Sequence, residues 1–237
     1  MPSGDPLVEL RGVTKDYRGL RPLRVQHLLL HPGESIALVG FDLAMAEVLV
    51  SLVTAAQLPD TGEILIFGQP TSSITNTADW VKALDRFGLV SDRAVLVDQF
   101  TAEQNLAMPL SLEITDPSPQ LRSQVHKLAE EVGLTADELV APTAALSAPA
   151  KLRLRLARAL ALDPQVLLAE HPNAIIPKDE APAFAADFAR VVQNRHLAAL
   201  VLTADRTFAG AIADRVLTLQ PATGELKGAS GWRRWFS

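Results

Sequence analysis

The sequence predicts an α/β fold with a largely parallel sheet, an antiparallel β region near the N-terminus and a helical insert. Three observations support this prediction. Short apolar runs alternate with stretches of helical length, the first apolar runs are separated only by charged residues and glycines, and one central stretch has helical periodicity throughout. Strands that alternate with helices form a sheet whose strands are mostly parallel.

Composition and charge narrow the function classes. The chain has 237 residues, of which 48% are hydrophobic and 21% are charged, so a folded globular protein is expected and global disorder is excluded. The 22 basic and 27 acidic residues leave a net charge of -5, and we expect no nucleic-acid partner. With no cysteine, the chain has no disulfide, no thiolate metal site and no cysteine nucleophile.

Neither the N-terminus nor the most apolar stretch of the N-terminal half is predicted to be an export signal or a membrane span. The first residues, MPSGDPLVEL, have neither a basic nor an apolar region of the kind found in secretory signals, so none is expected. Residues 35–56 are the most apolar stretch, but Asp42 and Glu47 lie inside it and would be costly in lipid. This stretch is therefore predicted to be a buried strand followed by a helix.

The individual elements of the N-terminal half follow in order. Residues 6–30 contain PLVEL and LRVQHLLL, which favour antiparallel strands. The run SIALVG, which ends at Gly40, predicts a buried strand, and AMAEVLVSLVTAA predicts the helix that follows it. Asp60, Thr61 and Gly62 predict a turn before the strand EILIFG.

The C-terminal half continues the alternation after a helical insert from about Ala102 to Leu146. In the segment LRLRLARALAL, leucine and arginine alternate as apolar and polar residues do in a strand. Its high content of Ala and Leu, and Ser147 as an N-cap, nevertheless favour a helix. The runs QVLLAE and LAALVLTAD predict buried strands, with a helix at about 180–195 between them.

Taken in this order, the segments resemble the ATP-binding subunits of ABC transporters over nearly the whole chain. HPGESIALVG resembles the strand that enters the family's phosphate loop, and DTGEILIFGQ resembles the strand pair beyond the first helix. TAEQNLAMPL resembles the segment after the glutamine loop and is most similar to lipid or lipoprotein transporter subunits. LSAPAKLRLRLARALALDPQVLLAEHP resembles the signature motif, its helix and the strand of the metal-binding acid.

The resemblance implies one domain over residues 1–237 with a RecA-like core of the P-loop NTPase type. It also implies an antiparallel β subdomain and a helical subdomain at about residues 93–150. The positions that correspond to the family's nucleotide-binding residues are Tyr17 for the adenine, Gly40, Ala46 and Glu47 in the phosphate loop, and Ser147, Ala148 and Pro149 in the signature.

Most of these positions lack the chemistry that the family uses. The phosphate loop needs glycines, a lysine for phosphate and a hydroxyl for Mg²⁺, but Met45, Ala46 and Glu47 stand there. Pro149 has no N–H to donate to a phosphate. By the resemblance, Asp92 replaces the loop glutamine, Glu170 the metal-binding Asp, His171 the catalytic glutamate, Pro177 the acid of the following loop and Ala204 the switch histidine.

These departures predict a non-catalytic subunit that has lost ATP hydrolysis and holds no metal or cofactor. The resemblance implies that it docks on a membrane permease, as a homodimer or with an active ATPase, in the cytoplasm at the inner membrane. Two alternatives stay open, a scaffold or regulatory protein and a subunit that still binds ATP. Aromatic and cationic side chains together suit a half-wet setting. The C-terminal residues that combine them either contact a membrane interface or a partner, or fold back on the domain: Trp232, Arg233, Arg234, Trp235 and Phe236.

Several single residues allow two interpretations. Tyr17 either stacks on a base or packs against the protein, and packing is favoured without a phosphate site. Asp42 and Glu47 either replace phosphate at a helix N-terminus or are solvated acids. His171 is predicted to be exposed or hydrogen-bonded, and to point away from Glu170 because neighbours on a strand face opposite sides. A solvated or interface helix face is predicted for Arg153, Arg155 and Arg158.

Overall fold

A computed structural model of the chain describes residues 4–115 and 117–228. The C-terminal aromatic and basic residues that were predicted to contact a membrane or partner lie outside the described residues. The strands are β1 Val8–Lys15, β2 Leu23–Leu30, β3 Ser35–Val39, β4 Thr61–Ile66, β5 Gln69–Pro70, β6 Phe87–Val90, β7 Val166–Glu170, β8 Ala198–Thr203, β9 Arg215–Gln220 and β10 Glu225–Gly228. The helices are α1 Leu43–Val53, α2 Thr77–Leu84, α3 Ala102–Ala107, α4 Pro119–Glu131, α5 Ala136–Val140, α6 Ala148–Leu160, α7 Ala181–Asn194 and α8 Arg206–Ile212.

The N-terminal β region forms an antiparallel sheet with strand order β2-β1-β4-β5, as the sequence predicts. Its inner face is apolar because every second residue is hydrophobic, as Val8 and Leu10 show. The predicted turn at Asp60–Gly62 is wrong in part, since Thr61 and Gly62 belong to β4. Gly62 has φ 84°, and a Cβ there would lie 2.4 Å from the carbonyl oxygen of Gly12, so the close approach of β1 requires glycine.

The second sheet has six strands in the order β10-β9-β3-β8-β7-β6, and every pairing except β10 with β9 is parallel. Strands β3, β7 and β8 are buried on both faces, which explains their continuous apolar runs. Ile36 joins the apolar cluster beneath α1 and the antiparallel sheet, whereas its neighbour Ala37 joins the cluster beneath α6, α7 and α8. The parallel sheet is therefore the middle layer of the molecule.

The ambiguous segment LRLRLARALAL is helical, as predicted, and forms most of α6. Ser147 is its N-cap, and its hydroxyl accepts a hydrogen bond from the backbone N–H of Ala150 at 3.3 Å. Leu152, Leu156 and Leu160 are buried, so the spacing of four residues gives the helix its apolar face.

Three helices, α3, α4 and α5, lie between β6 and α6, within the predicted helical insert. Their centre is held by Asn105, which is fully buried. Its side-chain nitrogen donates to the Val97 carbonyl at 3.0 Å and to the Thr143 hydroxyl at 2.9 Å, and its oxygen accepts from the N–H of Val97. In the described parts of the chain, every helix is too short or too polar to cross a membrane.

Candidate functional site

The candidate site lies at the carboxyl edge of the parallel sheet. Strands β3, β8, β7 and β6 are neighbours and run in the same direction, so the residues that follow them meet at one edge. Ligands of α/β proteins usually bind at such an edge. The first turn of α1, the segment after β6 and the end of β7 converge there.

The turn between β3 and α1 is built around Gly40 and Asp42. Gly40 has φ 94°, a conformation that suits glycine. Asp42 is the N-cap of α1, and its carboxylate accepts a hydrogen bond from the N–H of Met45 at 2.8 Å. Asp42 is thus the internal anion at this helix N-terminus, and its charge interacts favourably with the helix dipole. Ala46, in the same turn, is 1% exposed.

Glu47 does not cap the helix, because it pairs with Arg93 instead. The Nη1 atom of Arg93 lies 3.0 Å from the Glu47 carboxylate. The same guanidinium donates to Glu170 through Nε at 3.0 Å and through Nη2. Ser91 donates its hydroxyl to Glu170 at 2.7 Å and accepts the N–H of Arg93. We call this set, Glu47, Ser91, Arg93 and Glu170, the Arg93 network.

The electrostatics of the Arg93 network centre on one cation. The hydrogen bonds to Glu170 raise the pKa of Arg93, burial opposes this shift, and the charges of Glu170, Glu47 and Asp92 reinforce it. The side chain of Glu170 is only 8% exposed, whereas those of Arg93 and Glu47 are 41% and 55% exposed. Asp92 is exposed and adds negative charge nearby. A buried carboxylate at the end of β7 is therefore neutralised by a cation from the segment after β6.

Arg93 was not among the residues predicted for the site. The available signal was that the resemblance assigns three acidic residues to site positions: Glu47, Asp92 and Glu170. A buried carboxylate needs a partner, and Arg93 follows one of these acids directly.

His171 differs from its prediction in two ways. It lies beyond the last residue of β7, with φ 43° in the left-handed region, so it does not alternate with Glu170 on a strand. It is 8% exposed, and its Nε2 atom is buried without a hydrogen-bond partner among the described residues. The prediction of an exposed or hydrogen-bonded side chain is therefore wrong. Its backbone N–H donates to the Leu202 carbonyl at 2.8 Å.

Among the described residues, the other predicted positions take no part in the hydrogen bonds and ion pairs of the Arg93 network. Tyr17 is half-buried against the apolar cluster beneath α1, and burial and the charge of Asp42 raise its pKa. Ser147, Ala148 and Pro149 form the start of α6, and in the part of the chain that is described no hydrogen bond joins them to the network. Ala204 is exposed after β8. The described residues contain no group of three or more acidic or His side chains arranged to hold a metal.

The arginines of α6 do not form one solvated face. Arg153 pairs with Asp187 at 2.9 Å and its side chain is 18% exposed. Arg155 and Arg158 are also partly buried. Arg158 donates to the carbonyl of Val95 at 2.6 Å. The prediction for these arginines is therefore wrong for Arg153.

Comparison with known proteins identifies the family to which this arrangement belongs. A family model described as ABC transporter matches residues 23–174, which include the turn before α1, the Arg93 network and β7. The chain belongs to the ABC transporter family. The lipoprotein-releasing system ATP-binding protein LolD of Maricaulis maris (strain MCS10) is 32% identical to this ABC chain over 218 residues, which cover 90% of the chain and 94% of LolD.

A second relative and two solved structures extend the comparison. The methionine import ATP-binding protein MetN of Coxiella burnetii is 29% identical over 217 residues, and the ABC chain spans only 61% of it. The dimeric ATP-binding cassette MJ0796, in a structure with ADP and Pi, has a TM-score of 0.75 at 20% identity and covers 94% of this chain and 97% of its own. cbiO1 of Clostridium perfringens has a TM-score of 0.77 at 18% identity, covering 94% of this chain and 88% of its own. The predicted fold class is thereby confirmed as the ABC cassette fold.

Proposed function

We propose that this ABC chain is a non-catalytic subunit, which docks on a membrane permease, on an active ATPase partner or on both, and which has lost ATP hydrolysis. The observation that carries the proposal is the Arg93 network. By the family resemblance, Glu47 stands at the position of the Mg²⁺-binding hydroxyl and Glu170 at that of the metal-binding acid. Both carboxylates bind the guanidinium of Arg93.

The residues of the site do not fit bound Mg²⁺. A metal ion would have to displace Arg93 from Glu170, where it is held by two charge-assisted hydrogen bonds. The side chain at the position of the metal-binding hydroxyl is a carboxylate that already has a cationic partner. The internal cation therefore takes the place that the family gives to a metal ion.

The residues do not fit a triphosphate either. The family's phosphate-binding lysine is replaced by Ala46, whose side chain carries no charge. The carboxylate of Asp42 accepts an N–H of the first turn of α1, where a phosphate would need donors and positive potential. Pro149 lacks the N–H that a signature residue would donate. With His171 at the position of the catalytic glutamate, no step of hydrolysis is assigned to this chain.

Membrane partnership is proposed from the family and from the relatives' names. One relative is named for lipoprotein release and another for methionine import, so the names alone do not select a substrate. The segment NLAMPL favours a lipid-related transporter. The proposed location is the cytoplasmic face of the inner membrane, where the subunit would pair with a second copy or with an active ATPase.

Calorimetric titration with Mg-ATP, with ATP alone as the control, tests the loss of nucleotide binding. We expect no binding heat up to millimolar nucleotide and no phosphate release from ATP. A micromolar affinity for Mg-ATP would overturn the proposal. Co-purification of the full chain from detergent-solubilised membranes tests the partnership, and the expected result is a stoichiometric membrane subunit.

A further inference from the structure

The loop that joins β1 to β2, residues 16–22, presents an apolar side chain to solvent. We call it the β1–β2 loop. Leu20, near its centre, is 106% exposed, and the residues on both sides of it, Arg18, Gly19 and Arg21, are exposed as well. A leucine stabilises a fold by burying apolar area, and Leu20 buries none. Its side chain is therefore available to another surface.

The β1–β2 loop is held in shape at its base. The carboxylate of Asp60 accepts the N–H of Asp16 at 2.6 Å, and the carboxylate of Asp16 accepts the N–H of Arg18 at 2.8 Å. A Cβ on Gly19 would lie 2.6 Å from the ring of Tyr17, so the loop backbone packs directly on this ring and requires glycine there. Because the loop is already ordered, little conformational entropy is lost when it makes a contact.

The end of the antiparallel sheet that carries the β1–β2 loop is basic, although the whole chain has a net charge of -5. Four cations there stand against two acids, namely Lys15, Arg18, Arg21 and Arg24 against Asp16 and Asp60. Lys15 pairs with Asp60 at 2.9 Å. Neither guanidinium of Arg18 and Arg21 forms an ion pair with a residue in 4–115 or 117–228. Two unpaired cations therefore flank the exposed leucine.

A second apolar side chain lies at the same end of the sheet. Leu58 is 48% exposed. Two residues later, the N–H of Asp60 donates to the carbonyl of Thr14 at 2.8 Å, so the segment before β4 runs beside the end of β1. By contrast Leu112, which is 100% exposed between α3 and α4, is followed by the acid Glu113. Exposed apolar groups and unpaired cations thus coincide at the loop end of the sheet.

An exposed apolar side chain between two cations suits the surface of a membrane. The apolar group enters the boundary between headgroups and acyl chains, while the cations stay among the lipid phosphates. Anionic phospholipids attract arginine and lysine that lie close to their surface. A nucleic acid would bind the cations but leave the leucine in water. The β1–β2 loop is therefore better suited to lipid.

We propose that the β1–β2 loop contacts a membrane that contains anionic phospholipids, with Leu20 inserted below the headgroups and with Arg18 and Arg21 against the lipid phosphates. The inference rests on the proposed function, which places the chain at a membrane. One leucine and two arginines bind only weakly by themselves, much as a single lipid anchor does. The contact therefore adds to the attachment through the membrane subunit and turns this end of the antiparallel sheet towards the bilayer.

A fluorescent label at position 20 of the full chain tests the inference. The sequence has no cysteine, so Leu20→Cys provides a single attachment point for an environment-sensitive fluorophore. We expect its emission to shift to the blue with vesicles of phosphatidylcholine and phosphatidylglycerol, and to stay unchanged with phosphatidylcholine alone. Leu112→Cys, which labels an equally exposed position followed by Glu113, is the matched control and should show no shift.

Substitution of the two arginines tests the contribution of charge. Arg18→Gln with Arg21→Gln, introduced into the chain labelled at position 20, should weaken binding to the mixed vesicles by about tenfold or more. Both side chains are exposed, so the fold should be retained, and thermal unfolding checks this. Lys127→Gln removes an exposed positive charge from α4 and should leave vesicle binding unchanged.

The outcomes separate the lipid contact from the proposed function. No shift at position 20, an equal shift at position 112, or an equal shift without phosphatidylglycerol would overturn the inference. Vesicle binding through residues 232–236 alone would leave the label at position 20 in water, with the same consequence. If the chain still co-purifies with its membrane subunit in these cases, the proposed function stands while the lipid contact fails. If the label enters lipid but no membrane subunit co-purifies, the lipid contact stands and the proposed partnership fails.

Discussion

The guanidinium of Arg93 donates to both carboxylate oxygens of Glu170, through Nε at 3.0 Å to one and through Nη2 to the other. Glu170 ends the buried strand β7, and Arg93 follows the adjacent strand β6, so this pair joins the carboxyl ends of two parallel strands. Such bidentate pairs are geometrically specific as well as strong. The pair therefore holds the segment after β6 against the sheet without a ligand.

Arg93→Ala is expected to destabilise the fold. Among the described residues, the substitution leaves buried Glu170 with the Ser91 hydroxyl as its one side-chain donor, and the expected loss is about 1–3 kcal/mol in the free energy of unfolding. Urea unfolding measures this loss. Lys82→Ala is the control, because Lys82 is 79% exposed and lies 4.0 Å from Asp79, so its pair contributes less than about 0.5 kcal/mol.

A double variant separates the cost of leaving a buried carboxylate unpaired from the cost of losing the packing of the arginine side chain. Arg93→Ala with Glu170→Gln removes the cation and the anion together, and it is expected to recover at least half of the lost stability. Equal stability of Arg93→Ala and the wild type would contradict the role given to this pair.

The order of elements was predictable because helical and strand periodicities are local properties of the sequence. SIALVG and QVLLAE became β3 and β7, and Ser147 became the N-cap of α6. Arg93 was not predictable as a partner of Glu170, because their contact depends on the pairing of β6 with β7 across 77 positions of sequence. The left-handed backbone at His171 was missed because histidine carries no strong turn signal.

Restoring the phosphate loop alone is expected not to restore hydrolysis. The triple variant Met45→Gly, Ala46→Lys and Glu47→Ser regains the family's loop residues, but Arg93 still binds Glu170 and Pro149 still lacks an N–H. Phosphate release from Mg-ATP should stay at the wild-type background. Steady Mg²⁺-dependent release by the triple variant would contradict the proposed loss of catalysis.

The effect of substituting His171 on stability is expected to depend on how readily the new residue adopts the left-handed backbone conformation at this position. Its φ of 43° is acceptable to asparagine but strained for a β-branched residue, and its Nε2 makes no hydrogen bond within the described residues that a substitution could remove. His171→Asn is therefore expected to stay within about 1 kcal/mol of the wild type, and His171→Val to lose about 1–3 kcal/mol more. Chemical denaturation of the two variants side by side provides the measurement, and equal stability would refute the backbone argument.

The acid sensitivity of the antiparallel sheet is expected to depend on Asp60. Its carboxylate accepts the backbone N–H of Asp16 at 2.6 Å and pairs with Lys15 at 2.9 Å, and these contacts lower its pKa from the ordinary value of 3.8. A lowered pKa means that the folded state favours the ionised form. The resulting stability is present above the unfolded pKa and is lost as the pH falls through the folded pKa. Asp60→Asn should therefore be less stable than the wild type near pH 7, and the difference should shrink below about pH 4.

The Lys15→Met variant distinguishes the two contacts of Asp60. The hydrogen bond from Asp16 is the larger cause of the lowered pKa, and it survives removal of the lysine. Lys15→Met is therefore expected to keep most of the pH-dependent stability that Asp60→Asn loses, when the melting temperatures of both variants are followed from pH 7 to pH 3. If the two variants lost this dependence equally, Lys15 rather than the backbone of Asp16 would control the ionisation of Asp60.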